Sequence, residues 1–253
     1  MRTLRLIGIG PGDPNLLTLA AVDAIAATDV FLLIDKGAST GELADIRRDM
    51  LTRFAGSDHR EVTVPDPPRD RDPADYDAEV RRWHGERARR LYAALTGSVP
   101  ADGSAAILVW GDPALYDSSM RLADDMVATA AAAGELLDVE VIPGVTSVSA
   151  LTASARVPVN RIGEPIHITT GRRLAQTPVG ADRNQVVMLD AHCTFRETAN
   201  ADDLIWWGAY LGTDHEVVIA GEVGQVGEQI AATRERLRAE YGWIMDIYLL
   251  RKP

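Results

Sequence analysis

Three short segments hold the residue types that could bind or turn over a small molecule: Gly8-Ile9-Gly10-Pro11-Gly12-Asp13-Pro14, Trp110-Gly111-Asp112-Pro113 and Ile142-Pro143-Gly144-Val145-Thr146-Ser147. Glycine serves wherever a chain turns sharply or another backbone comes close, so such loops admit a purely structural reading beside a ligand-binding one. The first ligand to test is a nucleotide, with Asp35 as acceptor for a ribose hydroxyl. The residues argue against it. Pro11 removes a backbone N–H where a pyrophosphate would want one, and Asp13 puts a negative charge at the helix N-terminus that a phosphate would use. The spacing reads G-x-G-x-G, not G-x-G-x-x-G, and no P-loop lysine accompanies it. Prolines, glycines and carboxylates suit instead a ligand without phosphates, with polar ends and a positive centre.

Loops of this kind act at the carboxyl ends of strands in an open α/β sheet. Residues 4–9, 30–34, 61–64, 105–110 and 139–142 are short apolar or β-branched runs, and helical periodicity fills the intervals between them. That alternation predicts a parallel sheet with crossover helices. Asp13 followed by Pro14 predicts an N-cap and first helical position, with Leu16, Leu17, Leu19, Ala20 and Ile25 inward. Residues 65–73, dense in proline and aspartate, read as a surface loop, and a long helix with Val80, Trp83, Leu91 and Leu95 inward follows. An alanine-rich helix over 118–133 precedes the fifth strand. Further strands are expected at 166–170, 186–190, 204–207, 216–220 and 244–250, with a helix over 226–241. The expected architecture is therefore α/β and two-domain: an open parallel sheet in 1–151 and an α+β mixed sheet in 152–253.

The chain has 253 residues, with 26 Lys and Arg against 37 Asp and Glu and a net charge of −11. No pervasive positive field attracts nucleic acid or anionic lipid, so any polyanionic ligand must find a local basic patch. The longest apolar runs, 30–34 and 107–110, fall far short of the ~20 residues that cross a bilayer. The start of the chain lacks the roughly 7–15-residue apolar stretch of a secretory signal. Cys193 is the single cysteine, which excludes an internal disulfide and a multi-cysteine metal site; the expected compartment is the cytoplasm, and no metal is expected. His192 and Cys193 read as core or loop, and Trp206-Trp207 as core or subunit interface. Arg47, Arg48, Arg81, Arg82, Arg87, Arg89 and Arg90, with His84, read as solvated helix faces.

S-adenosylmethionine is a phosphate-free ligand of the required kind, and the three segments, in this order, resemble the loops of the tetrapyrrole methylase family. The resemblance extends through Leu32-Leu33-Ile34-Asp35-Lys36-Gly37, Val109-Trp110-Gly111-Asp112-Pro113-Ala114-Leu115-Tyr116-Asp117-Ser118, Ile168-Thr169-Thr170-Gly171-Arg172 and Gly242-Trp243-Ile244-Met245-Asp246-Ile247-Tyr248-Leu249-Leu250. It implies a homodimer that binds S-adenosylmethionine in a cleft between two domains, methylates a carbon of a corrin precursor and releases S-adenosylhomocysteine. By motif position it implies cofactor contacts from Pro11, Trp110, Gly111, Asp112, Leu115, Thr146 and Ser147, with Leu189 and Val223 from the second domain.

The resemblance also implies loss of a two-carbon acyl group as acetate, which needs water delivered to a ketone carbonyl and is helped by general base catalysis. Tyr116 and Asp117, just past the Gly-Asp-Pro loop, are the candidate catalytic residues, although Asp117 or Ser118 is equally the expected N-cap of the next helix. A corrin precursor carries many carboxylates, so Lys36, Arg172 and Arg173 at strand ends are the expected substrate-binding cations. A methylase for another acceptor and a non-catalytic cofactor-binding module are the competing readings.

Overall fold

Five aliphatic runs build the first sheet in the computed structural model, which describes residues 1–35, 41–56, 58–70, 72–178 and 182–253, with only the backbone for 41–44. Lys36 lies outside the described residues. The order along the chain is β1 (Arg2–Gly8), α1 (Leu19–Ala26), β2 (Val30–Asp35), α2 (Gly41–Phe54), β3 (Arg60–Pro65), α3 (Tyr76–Ser98), β4 (Ser104–Val109), α4 (Ser119–Ala132) and β5 (Leu137–Ile142). The strands are all parallel, in the order β3-β2-β4-β1-β5. Every residue of β4 is buried, as a central parallel strand covered on both faces must be. Alternation along β1 sends Leu4 and Leu6 into a core with Leu91, Leu95 and Met126, and Ile7 into another with Ile25, Phe31 and Met50. Thus α3 and α4 cover one face, α1 and α2 the other. The chain leaves β1 toward β2 on one side and leaves β4 toward β5 on the other, so the carboxyl ends of β1 and β4 form the topological switch point of the sheet.

Two expectations change here. Pro14–Leu16 forms only a short 3-10 turn, and α1 begins at Leu19, capped by Thr18, whose Oγ1 accepts a hydrogen bond from Ala21 N at 3.0 Å. A threonine hydroxyl one residue before the apolar periodicity supplies the cap that was expected from Asp13. The segment after β3 is a surface loop strapped to α3. Trp83 Nε1 donates to Pro67 O at 3.0 Å, Arg90 to Pro65 O at 3.1 Å and Arg82 to Pro68 O at 3.2 Å. Arg87 is buried, paired with Asp66 and 3.7 Å from the centroid of the Trp83 ring, so it leaves the solvated face where periodicity alone had put it.

The second unit contains α5 (Ser147–Ala155), β6 (His167–Thr170), α6 (Gly171–Leu174), β7 (Asn184–Met188), α7 (Phe195–Thr198), β8 (Leu204–Ala209), β9 (Val217–Glu222), α8 (Val223–Tyr241) and β10 (Asp246–Arg251). Its sheet is mixed, in the order β6-β7-β10-β8-β9, with β6 and β7 parallel and the other neighbours antiparallel. One face packs Val187, Trp207 and Tyr248 against Phe195, Ile230 and Leu237; the other packs Val186, Ile247 and Leu249 against Leu151. The chain divides into Met1–Gly10 with Pro14–Val145, and Pro11–Asp13 with Thr146–Pro253. Residue 151, where the sequence put the boundary, falls inside α5 of the second unit. Among the described residues no helix is long and apolar enough to cross a membrane.

One helix position is open to improvement. Gly85 lies inside α3, and a Cβ built there meets nothing within 4 Å. Gly85→Ala is expected to stabilise the protein by about 0.5–1 kcal/mol, because glycine is a poor helix former in the interior of a helix. Urea denaturation checks the sign; a lower midpoint would contradict it.

Candidate functional site

The ends of β1, β4 and β5 meet backbone to backbone. Gly10 and Gly111 form an isolated antiparallel bridge, with Gly10 N donating to Gly111 O at 3.1 Å and Gly111 N to Gly10 O at 2.8 Å. Both glycines are left-handed, at φ of 72° and 70°. A Cβ on Gly8 would stand 2.6 Å from Gly144 N, and one on Gly144 would stand 2.1 Å from Gly111 O. Neither position can carry a side chain while the loops stay where they are. A Cβ at Gly111, by contrast, meets nothing within 4 Å, so this side of the junction is open.

Asp112 latches the junction. Its Oδ1 accepts from Ala114 N at 2.8 Å and its Oδ2 from Gly144 N at 2.9 Å, tying the loop after β4 to the loop after β5. Thr18 Oγ1 adds a bond to Pro143 O at 3.3 Å. The N–H groups of Gly10, Gly111 and Gly144 therefore all donate within the protein, and none is left to cradle a phosphate. The donor set agrees with the sequence reading of a ligand without phosphates.

The loop from Trp110 to Asp117 carries the remaining candidates of the first unit. Trp110 and Leu115 are half-buried. Tyr116 is left-handed at φ 50° and 46% exposed, a strained backbone for a bulky residue. Desolvation raises its phenol above the ordinary tyrosine range, so the hydroxyl keeps its proton and acts as a donor. Asp117 Oδ1 accepts from Ser119 N at 2.6 Å, which realises the capping alternative; Ser118 occupies the cap position with no side-chain bond of its own. Arg47 of α2 also reaches this loop. It is half-buried, donates from Nε to Leu108 O at 3.3 Å and lies 5.9 Å from the Trp110 ring centroid, so it does not belong to a solvated helix face.

In the second unit, Leu189 follows β7 in the left-handed region at φ 54° and is 67% exposed. Its neighbour Asp190 explains this. That carboxylate is buried and accepts from His192 N, Thr194 N, Thr194 Oγ1 and the Tyr248 hydroxyl at 2.7–3.1 Å, which fixes the turn that pushes Leu189 outward. Gly171 packs so closely on Asp190 that a Cβ would come within 2.4 Å of its Cγ. Arg172 and Arg173 follow on α6, at the carboxyl end of β6 beside that of β7. Both are exposed, and among the described residues neither has an ion-pair partner. Thr146 caps α5, accepting from Ser149 N at 3.1 Å, and Ser147 is its first residue.

Val223 stands apart from the other candidates of the second unit. It opens α8 after β9, which runs antiparallel to β8, and the pairing of Leu204 with Glu222 puts it at the sheet edge opposite Leu189. Its side chain packs in the core, a position that apolar identity explains without a ligand. Met245, exposed one residue before β10, lies at the same end of the sheet as Leu189. The Gly242–Leu250 motif contained it but did not say which of its residues would face outward. Cys193 is buried, with its thiol pushed up to about 11 chiefly by desolvation, hence an unreactive thiol. Among the described residues no cluster of His, Cys, Asp and Glu could hold a metal ion.

Comparison with known proteins adds the following. Residues 3–235 match the family of tetrapyrrole (corrin/porphyrin) methylases. The chain is 43% identical over 253 residues to a precorrin-6A synthase (deacetylating) of Sinorhizobium sp, covering 100% of this chain and 96% of that protein. It is 30% identical over 186 residues to a precorrin-2 C(20)-methyltransferase of the same source, covering 68% and 70%. A solved structure of a putative cobalamin synthesis related protein from Corynebacterium diphtheriae superposes with a TM-score of 0.87 at 41% identity, over 99% of this chain and 98% of that one. A uroporphyrin-III C-methyltransferase from Thermus thermophilus, complexed with S-adenyl homocysteine, shares the fold at TM-score 0.61 and 18% identity, over 98% and 92%.

The junction predicts its own sensitivity. Gly144→Ala forces the loops apart and is expected to destabilise by several-fold more than Asp112→Asn, which exchanges one acceptor for a donor facing an N–H and costs about 1–3 kcal/mol. Chemical denaturation of both variants measures this; a Gly144→Ala protein as stable as the parent would refute the close approach.

Proposed function

The chain belongs to the tetrapyrrole (corrin/porphyrin) methylase family, and on that footing we propose that it is an S-adenosylmethionine-dependent C-methyltransferase of cobalamin biosynthesis. Within that reading its substrate is precorrin-5, methylated at C1 with release of acetate to give precorrin-6A, as the name of its 43% identical relative suggests. The observation that carries the reading is the glycine junction at the switch point, whose N–H groups are consumed internally and whose open side at Gly111 admits a phosphate-free ligand.

Bound S-adenosylmethionine supplies an electrophilic methyl group on a sulfonium. Pro11, Trp110, Gly111, Asp112, Leu115, Thr146, Ser147 and Leu189 are the residues we assign to hold it. Asp112 acts first by holding the loops in register, and the lone pairs that Ala114 and Gly144 leave unused can accept from a cationic ligand group. Exposed Leu189 offers an apolar face to an aromatic base. Val223, placed in the core, is left out of the set. Displacement at a sulfonium disperses charge, so alignment of the acceptor carbon supplies much of the rate and no dedicated base is required.

Arg172 and Arg173, together with Lys36, bind acid side chains of the macrocycle through charge-assisted hydrogen bonds. For deacylation, water adds to the ketone carbonyl, the carbon–carbon bond to the macrocycle breaks with its electron pair returning to the ring, and acetate leaves. Tyr116, protonated, donates to the ketone oxygen; Asp117, held through Oδ1, keeps Oδ2 to accept the proton of water. A homodimer in the cytoplasm completes the proposal, on the strength of the family and of a single buried cysteine.

Titration calorimetry with S-adenosylhomocysteine and with ATP tests the ligand class: saturable binding of the first and none of the second is expected, and the reverse would return the junction to nucleotide chemistry. The two chemistries also separate. Asp117→Asn and Tyr116→Phe should keep methyl transfer and slow acetate release by a factor on the order of 10²–10⁴ if a general base or its partner is lost. Mass spectrometry of the tetrapyrrole pool should then show a methylated, still acylated intermediate; equal loss of both steps would reduce these residues to positioning or capping.

A further inference from the structure

The loops after β6 and β7 leave the second sheet side by side, because Thr170 pairs with Met188 in a parallel register. One carries Arg172 and Arg173, the other Leu189. A single buried carboxylate, Asp190, meets both. Each of its oxygens is doubly occupied: Oδ1 accepts from His192 N at 3.1 Å and Thr194 Oγ1 at 2.8 Å, Oδ2 from Thr194 N and the Tyr248 hydroxyl, both at 2.7 Å. Three of these bonds close the turn after Leu189, and the fourth anchors it on β10. Burial first, then the Asp190 charge, holds the Tyr248 phenol above the ordinary tyrosine range, so it keeps the proton it donates. The same carboxylate meets the backbone of Gly171. A Cβ there would have Cγ, Oδ1 and Cβ of Asp190 as its three nearest atoms, all under 3.0 Å. Gly171 lacks the left-handed backbone of Gly10 or Gly111, so the glycine answers to Asp190 and not to conformation.

We propose that Asp190 is a positioning residue shared by two parts of the site: anchored on Tyr248, one carboxylate sets both the exposed Leu189 and the Gly171 turn that presents Arg172 and Arg173, so cofactor binding and acceptor binding in this unit are coupled. The coupling rests on the roles assigned above to Leu189 and the two arginines. Asp190 is buried and acts through these loops. An asparagine does not replace it, since an amide offers one acceptor oxygen and either orientation turns its NH2 group toward two donors.

The test uses Tyr248→Phe, Gly171→Ala, Asp190→Ala and the variant combining the last two, in the full-length protein. Arg236→Gln, which breaks an exposed pair with Glu240 on α8, is the control. Titration calorimetry with S-adenosylhomocysteine needs no acceptor. Gly171→Ala, although placed in the acceptor-binding loop, should weaken that binding roughly 3- to 10-fold, the scale of one buried hydrogen bond disturbed, and Tyr248→Phe by the same amount. Arg236→Gln should bind as the parent does. Hydrogen exchange should quicken over 170–174 and over 188–195 alike in both variants. With Asp190 already removed, alanine at 171 should cost nothing further in affinity or exchange. In turnover, Tyr248→Phe should raise the acceptor's KM more than it lowers kcat, a split that general destabilisation does not produce. Unchanged affinity in Gly171→Ala, quickened exchange confined to one loop, or additive losses in the combined variant overturns the proposal. A parent protein that does not bind S-adenosylhomocysteine would defeat the assigned function, while the exchange result still judges Asp190.

Discussion

Backbone contact among the ends of three parallel strands is the constraint on which the first unit turns. Gly8 and Gly144 let the loops approach closer than any side chain permits, and the Asp112 carboxylate then spans the loops after β4 and β5. The arrangement sits at the switch point because β1 and β4 are neighbours whose chains depart in opposite directions. Close approach has a chemical consequence. The N–H groups of Gly10 and Gly111 are spent on each other's carbonyls and that of Gly144 on the Asp112 carboxylate, so these three glycines offer no donor to a phosphate. What is left is an internally bonded rim with open space beside Gly111.

Buried carboxylates do comparable work in the second unit. Asp190 gathers four donors and thereby dictates the turn at Leu189 and the close seat of Gly171. Asp246 accepts from Trp207 Nε1 at 3.0 Å and pairs with Arg234 at 2.9 Å, and burial raises its carboxyl above the usual range. Removing one partner from such a network leaves a buried polar group unmatched, which costs more than the bond itself contributed. In both units, then, a small number of carboxylates decides where exposed residues such as Tyr116 and Leu189 stand.

The apolar run of β4 from Ala105 onward and the alternating β1 were legible because burial leaves a direct mark on residue type. The three loops were legible because proline and glycine have few other reasons to cluster. Arg47 and Arg87 were not, since helical periodicity gives the face of a residue and says nothing about a neighbouring strand end that receives a long side chain. The left-handed backbones of Tyr116 and Leu189 were equally hidden, because they run against the local preference of bulky residues. Val223 was named from its motif alone, which does not give its position in the sheet: the antiparallel return of β9 sets it at the other end from Leu189.

The central claim is that one rim aligns a methyl donor with a corrin carbon and the adjoining loop then releases a two-carbon acid. Incubation of the protein with precorrin-5 and S-adenosylmethionine carrying a labelled methyl group tests it directly. The account predicts one labelled methyl gained and one acetate released per macrocycle, and a labelled product that keeps its acetyl group, or no label transferred at all, would contradict it.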